Sequence, residues 1–291
     1  MSRPKATLNL GAAAALIGFA VAIAGGVGCS SNSAKSHFIL AERFWADGKY
    51  AAAVSEFEKV TQREPNGKLG LQSLFRAAMT QTLYLSQHEE AIRKLRQFVV
   101  AVKGGESAHE ANRQIGEILF TKLERYPDAI KHYKALLAQE ESLAPVDAGE
   151  YAFRVSKAQF FLWQFGKAID GYREIRRKYP RTHWAERAGY EIGAAYYTSG
   201  ERGRKGVAAG GAIAEEKFQA GIDAFDEFIH EHPDSRWVPE AKFGIAACLE
   251  ELDQLDAALV RYQAVKKEYP SPLVVDVRIA RIKERQNQKR R

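Results

Sequence analysis

The chain has 291 residues, 46% hydrophobic and 27% charged, a balance that supplies enough apolar surface for a core and excludes global disorder. Its two cysteines, Cys29 and Cys248, are too few for a disulfide framework. A net charge of +7 would suit nucleic acid, but residues 278–291 alone carry +6 and no nucleic-acid recognition motif is present, which excludes that class as well.

Residues 1–28 open with Arg3 and Lys5, continue through the apolar run LGAAAALIGFAVAIAGGVG and end in small residues before Cys29, the pattern of an export signal. Gly26, Val27, Gly28 and Cys29 resemble a bacterial lipobox, in which the cysteine is acylated and becomes the first mature residue. An uncleaved anchor is the alternative, since the run approaches the roughly 20 residues that span a bilayer. The cysteine directly after the small residues favours lipid attachment at Cys29. Residues 29–36, CSSNSAKS, then read as a polar tether. Fully extended from Ser30 it would reach about 25 Å, which keeps the body near the membrane. Losing Arg3 and Lys5 with the leader leaves +5, so with +6 in the tail residues 29–277 stand at −1.

From residue 37 to 270 one amphipathic pattern is written six times. Small residues at Ala53, Ala91, Ala129, Ala168, Gly221 and Ala258 anchor the copies, 38, 38, 39, 53 and 37 residues apart. Three before each stands Tyr50, His88, Tyr126, Phe165, Phe218 or Leu255, and four after it Phe57, Leu95, Tyr133, Tyr172, Phe225 or Tyr262. Seven after comes Val60, Phe98, Leu136, Ile175, Phe228 or Val265. These offsets share one stripe of a 3.6-residue helix. Pro65, Pro180, Pro233 and Pro270 stop the helix twelve residues past the anchor; Lys103 and Glu141 stand there in the second and third copies.

Each such helix needs a partner, and the pattern places it upstream. Twelve residues before the anchor lie Ala41, Met79 beside Ala78, Ser156 and Ala246, with Gly116 displaced by one in the third copy. In the fifth copy Gly193 is 28 residues ahead of Gly221, so a segment of the stretch 200–217 is inserted inside that hairpin. Small residues there let two antiparallel helices approach closely, and repeated pairs stack on a continuous core. The prediction is an all-α solenoid of six helix-turn-helix repeats over 37–270, followed by a basic capping helix or tail over 271–291 with Ile279 and Ile282 against the core. Cys248 falls in AKFGIAACLEEL, a predicted helix, as a small core hydrophobe.

The segments ADGKYAAAVSEFEKVTQREP, YPDAIKHYKALL, FGKAIDGYREIRRKYP and LDAALVRYQAVKKEYP resemble tetratricopeptide repeats. With their YP or HP endings they are similar in particular to envelope lipoproteins of the BamD type. Those have five repeats with an extension nearer the middle, whereas six are present here with the insertion in the fifth. The resemblance implies a right-handed superhelix, no enzymatic activity, no cofactor, and a role in holding other envelope proteins together. It implies outer-membrane barrel assembly as the machine, with an accessory lipoprotein of a secretin, pilus, gliding or Tol-Pal system as the alternative. A Ser after the acylated Cys implies the outer membrane. A module binding peptides or cell-wall fragments is a reading of a different class.

In arrays of this family the first helix of each pair lines the concave face. Residues offset by one from the packing positions include Phe38, Trp45, Arg76, Tyr84, Phe153, Lys157, Phe160, Phe161, Tyr190, Tyr197 and Phe243. These rings either line an aromatic groove for a partner segment or tuck between helices, and Arg76 and Lys157 would offer handles for a carboxylate. The stretch 200–217, GERGRKGVAAGGAIAEEK, reads as a mobile surface loop; it lacks the Gly-Lys-Ser/Thr ending on a helix start that a phosphate loop needs. His230 and His232 stand at i and i+2 of a helix end and point apart, which excludes a metal site. No nucleophile elbow, dinucleotide fingerprint or paired-carboxylate motif is present.

Overall fold

The computed structural model describes residues 29–139, 143–206 and 210–290; the leader 1–28 and the Cys29 side chain, on which the export and lipid expectations fall, lie outside what it describes. Among the described residues it holds thirteen α-helices, one π-turn and no strand. They pair as hairpins with a first (A) and second (B) helix: α1 (Cys29–Ala46) with α2 (Tyr50–Arg63), α3 (Lys68–Leu83) with α4 (His88–Val102), and α5 (Glu106–Glu117) with α6 (Tyr126–Leu137). Then come α7 (Pro145–Phe161) with α8 (Phe165–Lys178), α9 (His183–Gly206) with α10 (Gly210–Glu231), α11 (Val238–Glu251) with α12 (Leu255–Val265), and a lone α13 (Pro272–Lys289). No described helix is long and apolar enough to cross a membrane.

The chain divides into two compact units, Met1–Ser73 and Leu74–Arg291, with the division inside α3. In the first, α1 packs on α2. Ala41 and Ala53 are fully buried where the two helices meet, beside Phe57 and Val60. In the second, successive helices from α4 onward pack in chain order, and α9 also touches α7 and α11, so neighbouring A helices lie side by side.

All six anchors are buried, as are all six residues four positions on. The large +4 side chain seats on the small A-helix residue of its own pair: a Cβ on Gly193 would lie 2.5 Å from the Phe225 ring, and one on Gly116 would overlap Tyr133. Five residues before the anchor the backbone turns left-handed, at Gly48 (φ 73), Ser86 (φ 54), Glu124 (φ 50), Trp163 (φ 62) and Asp253 (φ 61). The next N–H then closes the A helix, as Gln164 donates to the Phe160-preceding carbonyl of Gln159 at 2.9 Å and Gln254 to Leu249 at 3.0 Å.

The irregularities of the spacing have structural causes. The one-residue displacement of Gly116 is absorbed by a π-turn over Ile118–Lys122, where the Leu123 N–H reaches back five residues to the Ile118 carbonyl at 3.0 Å. Where the second copy lacks its proline, Lys103 (φ 56), Gly104 (φ 120) and Gly105 (φ 78) end α4 with a left-handed run. Two expectations change. The stretch 200–217 is no loop: α9 continues to Gly206 and α10 starts at Gly210, because alanines and charged residues outweigh the glycines in helix propensity. The expected tether is helical, since α1 begins at Cys29 and Ala34 is buried, so 29–36 rises about 12 Å where an extended chain would reach twice that.

Candidate functional site

The small A-helix residues Gly116, Ser156, Gly193 and Ala246 give a common register for α5, α7, α9 and α11. Residues three before and four after the small one share its stripe, since i, i+3 and i+7 fall on one helix face. That stripe faces the B helix. Phe153 accordingly sits 5.5 Å from Tyr172, Tyr190 5.8 Å from Phe225, Tyr197 5.9 Å from Phe218 and Phe243 5.2 Å from Tyr262, all ring to ring inside their hairpins. Phe160 meets Phe165 at 5.5 Å. In the first unit Phe38 lies 5.8 Å from Phe57 and Trp45 6.3 Å from Tyr50. The rings expected in an aromatic groove are thus hairpin core, and only Tyr84 and Phe161 among them are exposed. Arg76 is half-buried.

The positions that line the A-helix face are six before, two before and one after the small residue. They read Glu110, Gln114 and Glu117 on α5, Glu150, Arg154 and Lys157 on α7, and Arg187, Glu191 and Ala194 on α9. The face is therefore charged. Arg154 bridges α7 to α5 through Glu117 at 2.9 Å and reaches Glu150 at 3.6 Å. Lys157 bridges α7 to α9 through Glu191 at 2.6 Å, and Arg187 stands 3.7 Å from the same carboxylate. Arg113 pairs with Glu110 on α5. With Arg113 counted from the adjoining stripe, four cations meet four carboxylates and the charges balance.

Aromatic rings from the hairpin cores floor this ladder. The Arg154 guanidinium lies 5.4 Å from Phe120, the Lys157 ammonium 4.8 Å from Phe160, and Arg187 is 5.1 Å from Phe153 and 5.2 Å from Trp237. Trp237, at the start of α11, stacks on Tyr190 at 5.4 Å and carries the face across to the next repeat. Glu191 is 4% exposed, so its two cations neutralise a carboxylate withdrawn from water. Burial pushes the Glu150 carboxyl up, against the pull of Arg154 and Arg113, and holds the Tyr172 hydroxyl well above its ordinary range. Such a ladder presents alternating charge at helix spacing with hydrophobic floors between, which suits a polypeptide segment better than a small substrate.

A second charged cluster has no counterpart in the sequence reading. Glu250 on α11 is fully buried, accepts from the Tyr262 hydroxyl at 3.0 Å, and is ringed by Arg278 at 3.3 Å, Arg281 at 3.4 Å and Arg285 at 3.7 Å from α13. Ile282 is fully buried beside it and Ile279 packs against the same cluster. Arg278, Arg281 and Arg285, three and four residues apart, opposite one Glu in an apolar stretch, were the legible signal. Burial pushes the Cys248 thiol up to about 12, which leaves it no nucleophile. Among the described residues no group of three or more His, Cys, Asp or Glu is arranged to hold a metal ion.

Two segments match the tetratricopeptide repeat family, residues 82–148 and residues 240–272. No curated protein sequence matches the chain. Among solved structures, a tetratricopeptide repeat protein from Parabacteroides merdae superposes with a TM-score of 0.55 at 14% identity, covering 89% of either chain. The C-terminal part of a repeat protein from Cytophaga hutchinsonii gives 0.53 at 17% identity, over 79% of this chain and 78% of that one. The fold is a tetratricopeptide-type helical repeat.

Proposed function

We propose that this chain is a lipid-anchored scaffold on the periplasmic face of the outer membrane, held there through Cys29 and binding a segment of an envelope protein along the A-helix face of α5, α7 and α9. The observation that carries the binding reading is the ion-pair ladder of Glu117, Arg154, Lys157 and Glu191, which joins three A helices through charged groups. An incoming segment exchanges those pairs for its own without leaving a charge unpaired. The leader and Cys29 support export and anchoring, and the similarity to lipoproteins of the BamD type supports barrel assembly as the machine.

Affinity capture on the full chain from detergent-solubilised membranes tests this. Recovery of a barrel-insertion protein, lost on Arg154→Glu with Lys157→Glu, is the expected result; capture unaffected by the double change refutes the site. Recovery of a secretin or motility protein in its place would move the scaffold to another machine. For the anchor, Cys29→Ser should release the chain to the soluble periplasmic fraction, and membrane retention through a carbonate wash refutes lipid attachment.

A further inference from the structure

One stripe of the A helices is covered by the preceding hairpin in every repeat from the third onward. It holds the positions five before, one before and two after the small A-helix residue, and in hairpins three to six all of them are buried, as are Tyr151, Val155 and Ala158 on α7 and Ala241, Ile245 and Cys248 on α11. Tyr151 stacks on Tyr133 of α6 at 5.6 Å, and a Cβ on Gly221 of α10 would lie 3.1 Å from the Cys248 sulfur.

Among the described residues no hairpin precedes α1. Counted from Ala41, its stripe is Ser36, Leu40 and Arg43, all exposed, with Lys35 and Ile39 exposed beside it. Leu40 is 37% and Ile39 59% open to solvent. A terminal hairpin that meets only water presents a polar outer face, whereas this one sets two adjacent aliphatics between two cations. Across residues 33–46 the exposed positions include no carboxylate. The opposite side of α1 is fixed to α2, through Phe38 on Phe57 and His37 on Glu56, so the stripe cannot roll inward. Carried back at the same three- and four-residue spacing, it passes Ser33 and reaches Cys29, the first residue of α1. From Cys29 to Leu40 the helix rises about 16 Å, so the acylation position and the aliphatics share one side.

We propose that α1 lies along an anionic bilayer surface, which covers this stripe as a preceding hairpin covers it in later repeats. The proposal rests on the acyl anchor at Cys29 and gives it an orientation: Ile39 and Leu40 enter the acyl boundary while Lys35 and Arg43 meet headgroup phosphates. A second copy is the poorer occupant. Two-fold pairing of α1 about Ile39 would oppose Lys35 and Arg43 of the two copies, like charge on like.

A fluorophore on Ser36→Cys in the lipidated chain, reconstituted in phosphatidylglycerol-containing vesicles, tests this. In that chain acylation occupies Cys29 and Cys248 is buried, so the new thiol labels alone. The probe should be quenched by nitroxides carried in the bilayer and shielded from aqueous iodide. Lys35→Glu with Arg43→Glu should shift the docked-to-free ratio roughly tenfold or more toward iodide access, with helicity and flotation unchanged. Ile39→Asp with Leu40→Asp should open the probe as well. A chain that floats with its probe open to iodide, or shielded whichever pair is changed, overturns the proposal and leaves the anchor standing. A chain that does not float refutes the anchor, and the proposal falls with it. Shielding that appears only at high chain density would give the stripe to a second copy and also overturn the proposal.

Discussion

Replacing Glu250 with alanine should undock α13 and leave the remaining hairpins standing. The carboxylate is fully buried, and removing one partner of a buried ionic group costs about 3–5 kcal/mol when the remaining charges stay dry. Here they do not all stay dry, because the side chains of Arg281 and Arg285 are 53% and 32% exposed and regain water once freed. Arg278, 27% exposed, and the Tyr262 hydroxyl lose most. Discounting for that rehydration, we expect a loss of about 2–3 kcal/mol. Because α13 packs on α12 and the last hairpin, the loss should be local, as nearest-neighbour coupling in repeat arrays requires. Hydrogen exchange followed by mass spectrometry would then show lost protection in α13 and hairpin six, with α7 and α8 unchanged. Glu250→Gln keeps the shape and an acceptor for Tyr262, and should cost about half as much. Unchanged α13 protection in the alanine variant would refute the reasoning.

Other substitutions probe the hairpin interior. Gly193→Ala should cost about 1–3 kcal/mol in urea melts, since Phe225 is pinned against Gly244 on its far side and cannot yield. Gly166→Ala, where an added Cβ meets nothing within 4 Å, should instead stabilise α8 by about 0.5–1 kcal/mol. In the Cys29→Ser background Cys248 should resist thiol reagents until the chain is unfolded, and labelling at the rate of a free thiol would contradict its burial. Burial lowers the pKa of His132, whose ring is 2.7 Å from the Asn112 carbonyl, so the unfolded chain binds that proton first. Its stabilisation is complete above the unfolded value near 6.5 and falls as pH drops below it. His132→Gln should remove that slope in denaturant midpoints taken across pH 7.5 to 5.5. Glu150, raised by burial, acts with the opposite sign above its ordinary value, and the difference between the two proteins cancels it.

The hairpins were legible because their signal is local and repeated: a small residue opposite a large one leaves the same mark six times, and the structure buries both members throughout. The sequence left the A-helix rings open between a groove and the hairpin core, and geometry decides most of them. Aromatic residues three before and four after the small position look like a groove in sequence, yet that spacing returns them to the small residue's own stripe, where Tyr190 and Phe243 interlock with Phe225 and Tyr262. The lining residues were charged and scattered, with partners 34 and 37 positions away in the chain for Lys157 and Arg154, so no local pattern marked them. The extension in hairpin five was hidden by its glycines. Composition suggested a loop, but Phe218 against Gly200 shows that one of those glycines makes room for a ring.

The balance of charge on the ladder makes its proposed binding testable in one salt titration. The ladder on α5, α7 and α9 is neutral because each cation already has a carboxylate, so a segment that binds there exchanges pairs and gains little net Coulomb energy. Raising salt from 0.05 to 0.3 M should weaken that binding by no more than a few-fold. A partner segment whose binding collapses steeply over that range, as the screening length shortens from roughly 14 to 6 Å, would refute pair exchange, and the ladder would then be structural.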